Sequence, residues 1–291
     1  MSTILAFGAE GQLGRELAER GARRGMTMRV VGRAEADIAD PQAVAPVVAA
    51  AAPAIVVNAA AYTKVDLAES EPEAAFRANA LGPGVLAGAC ATAAIPLLHV
   101  STDYVFDGTK PTAYVEDDPI EPLGVYGRSK AEGEAAVRRV LKQHVILRTS
   151  WVYGVYGANF LKTVLRLAQE RDELRIVADQ RGCPTGTADI AEAILEITPL
   201  LARREPVWGT YHFAGQGATT WFEFAVAIVE AQAAIINRRP TVVPISTREY
   251  PTASRRPANS ELDSSHFAGT FGIKAKDWRE RTRQVTQALL S

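Results

Sequence analysis

Short apolar runs rich in β-branched residues alternate with longer, Ala-rich stretches through the first half of the chain. Thr3–Phe7 reads as a strand and Gln12–Arg23 as a helix, and Thr27–Val31 with Gln42–Ala51 repeats the pair. Ala54–Asn58, with Ile55, Val56 and Val57 in succession, predicts a third strand. Helical sequence follows over Glu71–Ala94, with an interruption expected at Gly82-Pro83. Leu97–Ser101, Arg128–Leu141 and Val145–Thr149 continue as strand, helix and strand. These strands are continuous apolar runs, as expected when helices cover both faces of a sheet. Strand–helix alternation at this spacing means βαβ units and a parallel sheet, so the fold class is α/β.

After Thr149 the rhythm loosens. Helices are expected at Asn159–Glu170, Ala188–Leu201, Thr220–Ala234 and Asp277–Leu290. Short strands are expected at Arg175–Val177, Thr210–Phe213 and Val242–Val243, and loops at Asp179–Gly186 and Pro244–Ser260. This half predicts a smaller C-terminal lobe over the carboxyl edge of the sheet, where α/β proteins place ligands.

Composition narrows the function classes. A chain of 291 residues buries a large core without staples, and its two cysteines, Cys90 and Cys183, make neither a disulfide framework nor a Cys-rich zinc site. Lys plus Arg is 32 against 33 Asp plus Glu, which lacks the basic excess of a nucleic-acid binder. No apolar stretch approaches the ~20 residues of a membrane span. Met1–Gly8 lacks the basic segment of a signal peptide, so a cytoplasmic protein without membrane partners is expected. His99, His144, His212 and His266 are scattered without ligand spacing, and Cys183 has no paired base. Trp208, Trp221 and Trp278 are expected to anchor the second lobe, and Trp278–Arg283 reads as a solvated helix face.

The chemistry-bearing motifs sit at strand ends. Gly8-Ala9-Glu10-Gly11-Gln12-Leu13-Gly14 follows the first strand and opens the first helix. Glycines there let backbone N–H groups approach a pyrophosphate at the helix N-terminus, which predicts a Rossmann-type, doubly wound sheet binding a dinucleotide. The second strand ends Val31-Gly32-Arg33, without the carboxylate that binds a ribose 2′-hydroxyl. Arg33 faces a 2′-phosphate in this reading and favours NADPH, with NADH left open; Asp37 and Ile38 border the adenine. Asn58-Ala59-Ala60-Ala61-Tyr62-Thr63 follows the third strand, its small residues permitting close packing on the cofactor. Tyr126 and Lys130 share a helix face at i and i+4, and Thr102 ends the fourth strand. A phenol has a reference pKa near 10, so bringing Tyr126 near 7 takes about 4 kcal/mol from a nearby ammonium and an oxidised nicotinamide. Thr102 is placed to hydrogen-bond a carbonyl oxygen that gains charge as hydride arrives.

At these residues the chain resembles the extended short-chain dehydrogenase/reductase family, and within it the branch that reduces dTDP-4-dehydro-L-rhamnose to dTDP-L-rhamnose. The resemblance rests on Gly8–Gly14, Val57–Asp66, Ser101–Gly108, Tyr126–Lys130, Arg148–Gly154, Asp179–Thr185 and Ser254–Ser260, in this order. It implies a dinucleotide-binding domain over 1–150, with 188–216 returning to it, and a nucleotide-sugar domain over 151–187 and 217–291. It implies catalysis by Thr102, Tyr126 and Lys130: Thr102 orients the C4 oxygen, Tyr126 protonates it, and Lys130 holds the nicotinamide ribose and lowers the tyrosine pKa. Val65, Asp103, Tyr104 and Trp151 are implied at the sugar site, and Arg256 at the diphosphate. Some members are dimers bridged by carboxylate-bound magnesium. Glu16 matches the first such position, but the chain ends Thr286–Ser291 without a carboxylate, so no metal and a monomer or weak homodimer are expected. Sister reactions of the fold are 4,6-dehydration, which needs a glutamate where Tyr104 stands, and 4-epimerisation, which retains its coenzyme. A non-catalytic, cofactor-binding subunit is the alternative of another class, and it has no need of all three catalytic residues.

Overall fold

In the computed structural model residues 3–203, 205 and 207–291 are described. Met1 and Ser2 of the N-terminal run, and Arg204 and Pro206 of the returning stretch, lie outside the described residues. The apolar runs form strands β1 (Ile4–Phe7), β2 (Met28–Val31), β3 (Ile55–Asn58), β4 (Leu97–Thr102) and β5 (His144–Thr149). The later strands are β6 (Val152–Tyr153), β7 (Glu173–Val177), β8 (Arg181–Gly182), β9 (Thr185–Gly186), β10 (Gly209–His212), β11 (Thr219–Thr220), β12 (Thr241–Ile245) and β13 (Asn259–Ser260). The helices are α1 (Gln12–Arg23), α2 (Pro41–Ala51), α3 (Val65–Ala68), α4 (Pro72–Phe76), α5 (Gly82–Ala93), α6 (Val125–Val140), α7 (Phe160–Glu170), α8 (Thr187–Ala202), α9 (Trp221–Ile236), α10 (Ser265–Phe271) and α11 (Trp278–Leu290).

The main sheet has the order β10-β5-β4-β3-β1-β2, every pair parallel. Its strands are sandwiched, which is why they read as unbroken apolar runs. Ile4 and Ala6 of β1 pack with α1 and α8 through Leu17, Ile190 and Ile194. Leu5 and Phe7 pack on the opposite face with α2, α5 and α6 through Val44, Leu86 and Val137. A third apolar cluster joins Trp151 and Tyr153 to α7, α9 and α11 through Leu161, Phe224 and Trp278. The chain leaves β1 toward β2 on one side and returns to β3 on the other. That reversal opens a crevice at the carboxyl ends of β1 and β3, the place where such sheets bind ligands.

The sequence reading does not predict α3, α10, β6, β11 or β13, and three further departures have identifiable reasons. The interruption expected at Gly82-Pro83 is instead a π-helical turn over Arg77–Leu81 that runs directly into α5. Pro83 has no N–H for the carbonyl four residues back, and a wider turn before it absorbs the mismatch. Helix α6 starts at Val125, three residues before the expected Arg128, because Glu69 Oε1 accepts the Val125 N–H at 3.0 Å. The loop Asp179–Gly186 contains β8 and β9, and β8 pairs with β11 and β13. Of the tryptophans, Trp208 packs on the main-sheet cluster, not on the second lobe. In the Trp278–Arg283 run only part of the face is solvated: Trp278 and Thr282 are buried, and Arg281 Nε donates to Asp189 at 2.8 Å.

Candidate active site

Gly8 adopts φ +109°, in the left-handed region, where it turns the chain from β1 toward α1. A Cβ built on it would lie 2.8 Å from the Ala59 carbonyl carbon and the Ala60 nitrogen, so the turn and the segment after β3 meet backbone to backbone. A Cβ on Gly14 would lie 2.0 Å from the Gly8 carbonyl oxygen, which obliges glycine there as well. Helix α1 begins at Gln12 with Gly11 as N-cap and no side-chain cap, whereas α9 carries a full capping box from Thr220 and Glu223. The first N–H groups of α1, at Gln12, Leu13 and Gly14, therefore face the crevice without an intrahelical partner, which fits a dinucleotide phosphate. Gln12 reaches the second half of the chain: its Oε1 accepts from Asn159 Nδ2 at 2.9 Å.

The remaining cofactor positions divide. Arg33 is 81% exposed at the crevice mouth and lies 3.6 Å from Asp37. Asp37 also accepts from the Ala39 N–H and from Arg77, and these contacts hold its carboxyl below the usual range. Ile38 is buried in the core against Gly82. Ala59, Ala60, Ala61 and Thr63 line the segment after β3, and Tyr62 is fastened by its N–H to Asn79 Oδ1 at 2.8 Å and by its hydroxyl to Glu71 at 2.7 Å. Glu16 is buried and already engaged, by Arg20 at 2.7 Å and by the Thr187 hydroxyl at 3.2 Å. Among the described residues no three His, Cys, Asp or Glu side chains converge as metal ligands.

Thr102, Tyr126 and Lys130 are all buried. Helix α6 approaches the turn after β4 so closely that a Cβ on Gly127 would lie 2.2 Å from the Tyr104 carbonyl oxygen. That approach brings Tyr126 against Tyr104, edge to face at 5.4 Å between centroids. Burial raises the Tyr126 pKa above the ordinary phenol value, and the Asp103 and Tyr104 charges add to it, while a hydrogen bond with Thr102 pulls the other way. This departs from the expectation that Lys130 lowers it. The Lys130 ammonium donates instead to the Val100 carbonyl at 2.7 Å, and burial pushes its own pKa down to about 8. Burial thus favours the protonated phenol.

Of the residues expected at a sugar site, Val65 and Tyr104 pack on the apolar cluster that includes Tyr126. Burial pushes the Asp103 carboxyl up to about 6, against the pull of Ser260, Thr102 and Ser150. Trp151 takes φ +46°, rare for a bulky residue, and is stacked on Trp221 at 3.6 Å with Gly182 beneath it. Such backbone strain clusters at functional sites. Arg256 Nη2 donates to Asp66 at 2.5 Å, and its buried Nη1 has no hydrogen-bond partner among the described residues.

Two residues that sequence reasoning passed over tie these parts together. Asn79, buried in the π-helical turn, donates to the Tyr62 carbonyl and to Ser129 on α6, both at 3.0 Å. Glu69 Oε1 accepts from Ser254 Oγ at 2.8 Å as well as from the start of α6. A lone Asn in an Ala-rich helix was the available signal for the first; the second leaves none in sequence.

The RmlD substrate binding domain family matches residues 1–291. A dTDP-4-dehydrorhamnose reductase of Sinorhizobium fredii is 46% identical over 289 residues, covering 99% of this chain and 97% of that protein. One from Aggregatibacter actinomycetemcomitans is 43% identical, covering 98% of each. The crystal structure of dTDP-4-dehydrorhamnose reductase from Bacillus anthracis in complex with NADP superposes with a TM-score of 0.92 at 35% identity, over 99% of both chains.

Proposed function

Because the chain belongs to the RmlD substrate binding domain family, we propose that it reduces the C4 ketone of dTDP-4-dehydro-L-rhamnose to dTDP-L-rhamnose. The observation that carries this reading is the buried meeting of Thr102 and Tyr126, where burial favours the protonated phenol. A ketone reductase needs a proton donor that keeps its proton until charge develops on the oxygen. A reduced nicotinamide supplies the hydride when bound. Thr102 Oγ1, whose hydroxyl also accepts the Tyr104 N–H at 3.2 Å, orients the C4 oxygen. Tyr126 Oη delivers the proton to that oxygen. Lys130 holds the nicotinamide ribose. Arg256, with one nitrogen still unpartnered, meets the diphosphate, and Trp151, Tyr104, Asp103 and Val65 enclose the sugar.

The same reading gives residues 1–150 and 188–216 to the dinucleotide and residues 151–187 and 217–291 to the nucleotide sugar. It assigns the phosphates to Gly8, Gly11, Gln12, Leu13 and Gly14, and a 2′-phosphate to Arg33, which favours NADPH. No step calls for a metal, and Glu16 serves the α1–α8 packing. The residue after Asp103 is Tyr104, a phenol that burial pushes up to about 12, and it supplies no carboxylate base for a dehydratase. The test follows absorbance of the reduced nicotinamide with a panel of 4-keto nucleotide sugars. The expected result is stoichiometric oxidation with dTDP-4-dehydro-L-rhamnose and release of oxidised coenzyme. Turnover without added reductant, on coenzyme that stays bound, would overturn it.

A further inference from the structure

The end of β2 carries Gly32 where a ribose-binding carboxylate would stand. The fold brings a carboxylate to that place from another segment. A Cβ built on Gly32 would lie 2.0 Å from Glu10 Oε1 and 2.8 Å from its Cδ, so the Glu10 side chain occupies the space a strand-end side chain would fill. Glu10 belongs to the phosphate turn and lies two residues before the uncapped start of α1. Among the described residues its carboxylate has no hydrogen-bond or ion-pair partner, and it is exposed. The neighbouring cations are engaged elsewhere: Arg29 with Glu35, and Arg33 and Arg77 with Asp37. The result is a carboxylate at the tip of β2, beside the exposed Arg33, that has no ion-pair partner among the described residues.

We infer that Glu10 is the residue that selects the adenosine ribose, replacing from the turn the carboxylate missing from the strand end. An ionised carboxylate accepts hydrogen bonds from a 2′-hydroxyl and its 3′-neighbour but can donate none. Toward a 2′-phosphate, which carries more than one negative charge at neutral pH, it is repulsive. Glu10 therefore favours NADH, Arg33 favours NADPH, and the chain's preference is the small difference between them. Gly32 leaves this space open to the Glu10 carboxylate, and a side chain there would displace it.

The inference rests on the dinucleotide reading of the turn, and a binding measurement separates the two. Dissociation constants for NADH and for NADPH are read from quenching of tryptophan fluorescence in the wild-type chain, Glu10→Gln and Arg33→Gln. Glu10→Gln should weaken NADH and tighten NADPH, moving the ratio of the two constants about tenfold toward NADPH, while Arg33→Gln moves it the other way. Glu10→Ala combined with Gly32→Asp returns the carboxylate to the strand end and should restore the wild-type ratio. A ratio unchanged within twofold in Glu10→Gln, or both constants moving by the same factor, overturns the inference while leaving dinucleotide binding intact. A wild-type chain that binds neither coenzyme overturns the dinucleotide reading and this inference with it.

Discussion

In the proposed reaction Tyr126 has a double task, to keep a proton in a dry pocket and to release it in one direction, and its burial serves the first part. Removing the hydroxyl in Tyr126→Phe should lower kcat by two to four orders of magnitude, the usual range for a general acid. The dissociation constant of the coenzyme should stay within a few-fold, so a large loss of binding with kcat preserved would contradict the assigned role. Lys130 makes a second prediction through its pKa of about 8. Below that value it is an ammonium and above it a neutral amine, so kcat/KM should fall as pH rises through 8. A profile flat to pH 9.5 would show that the charge on Lys130 is not used. Asp103, raised to about 6 by burial, has the opposite sign of interest. Between pH 4 and 6 the folded state binds more protons than the unfolded one, so Asp103 lowers stability as pH rises through that window. Asp103→Asn should relieve this by about 2–3 kcal/mol at pH 8 and by little at pH 4. Thermal unfolding at the two values checks it.

At the scale of elements, apolar periodicity was enough where an element owes its existence to its own burial. Helix α1 begins and ends where its sequence says, because Leu13 and Leu17 face the sheet and Gly11 precedes the first turn. The start of α6 was misplaced because its cap is Glu69, 56 residues upstream in the chain. That same carboxylate holds Ser254, so one side chain ties the helix carrying the proposed proton donor to the loop carrying Arg256. Glu69→Ala should cost about 1 kcal/mol of stability, as cap losses do. It should also lower kcat more than it weakens coenzyme binding, since the proposed phosphate contacts at Gly8–Gly14 lie on another element; equal losses in both would argue against positioning.

Across the whole molecule the sheet and its covering layers are joined by a buried charge network. Glu134 on α6 accepts from Arg148 on β5 at 2.8 and 2.9 Å and from Ser101 on β4 at 2.6 Å, all out of reach of solvent. Breaking it on one side in Glu134→Ala strands the Arg148 charge and should cost about 3–5 kcal/mol, read as a loss of denaturation midpoint with an unchanged slope. The sequence alone determined the α/β class and the parallel sheet, and it supplied the candidate site residues, because burial on two faces and backbone approach to a phosphate restrict residue types locally. It also named the residues whose spacing is a helix turn, Tyr126 and Lys130. Only the tertiary structure decided where Lys130 points, which carboxylate caps α6, and that Glu10 lies over Gly32. Each of those is an electrostatic contact between segments distant in the chain, or between strand ends brought together by the crossovers. Such contacts leave no period and no spacing behind, since a charge is satisfied by whatever partner the packed backbone delivers to it.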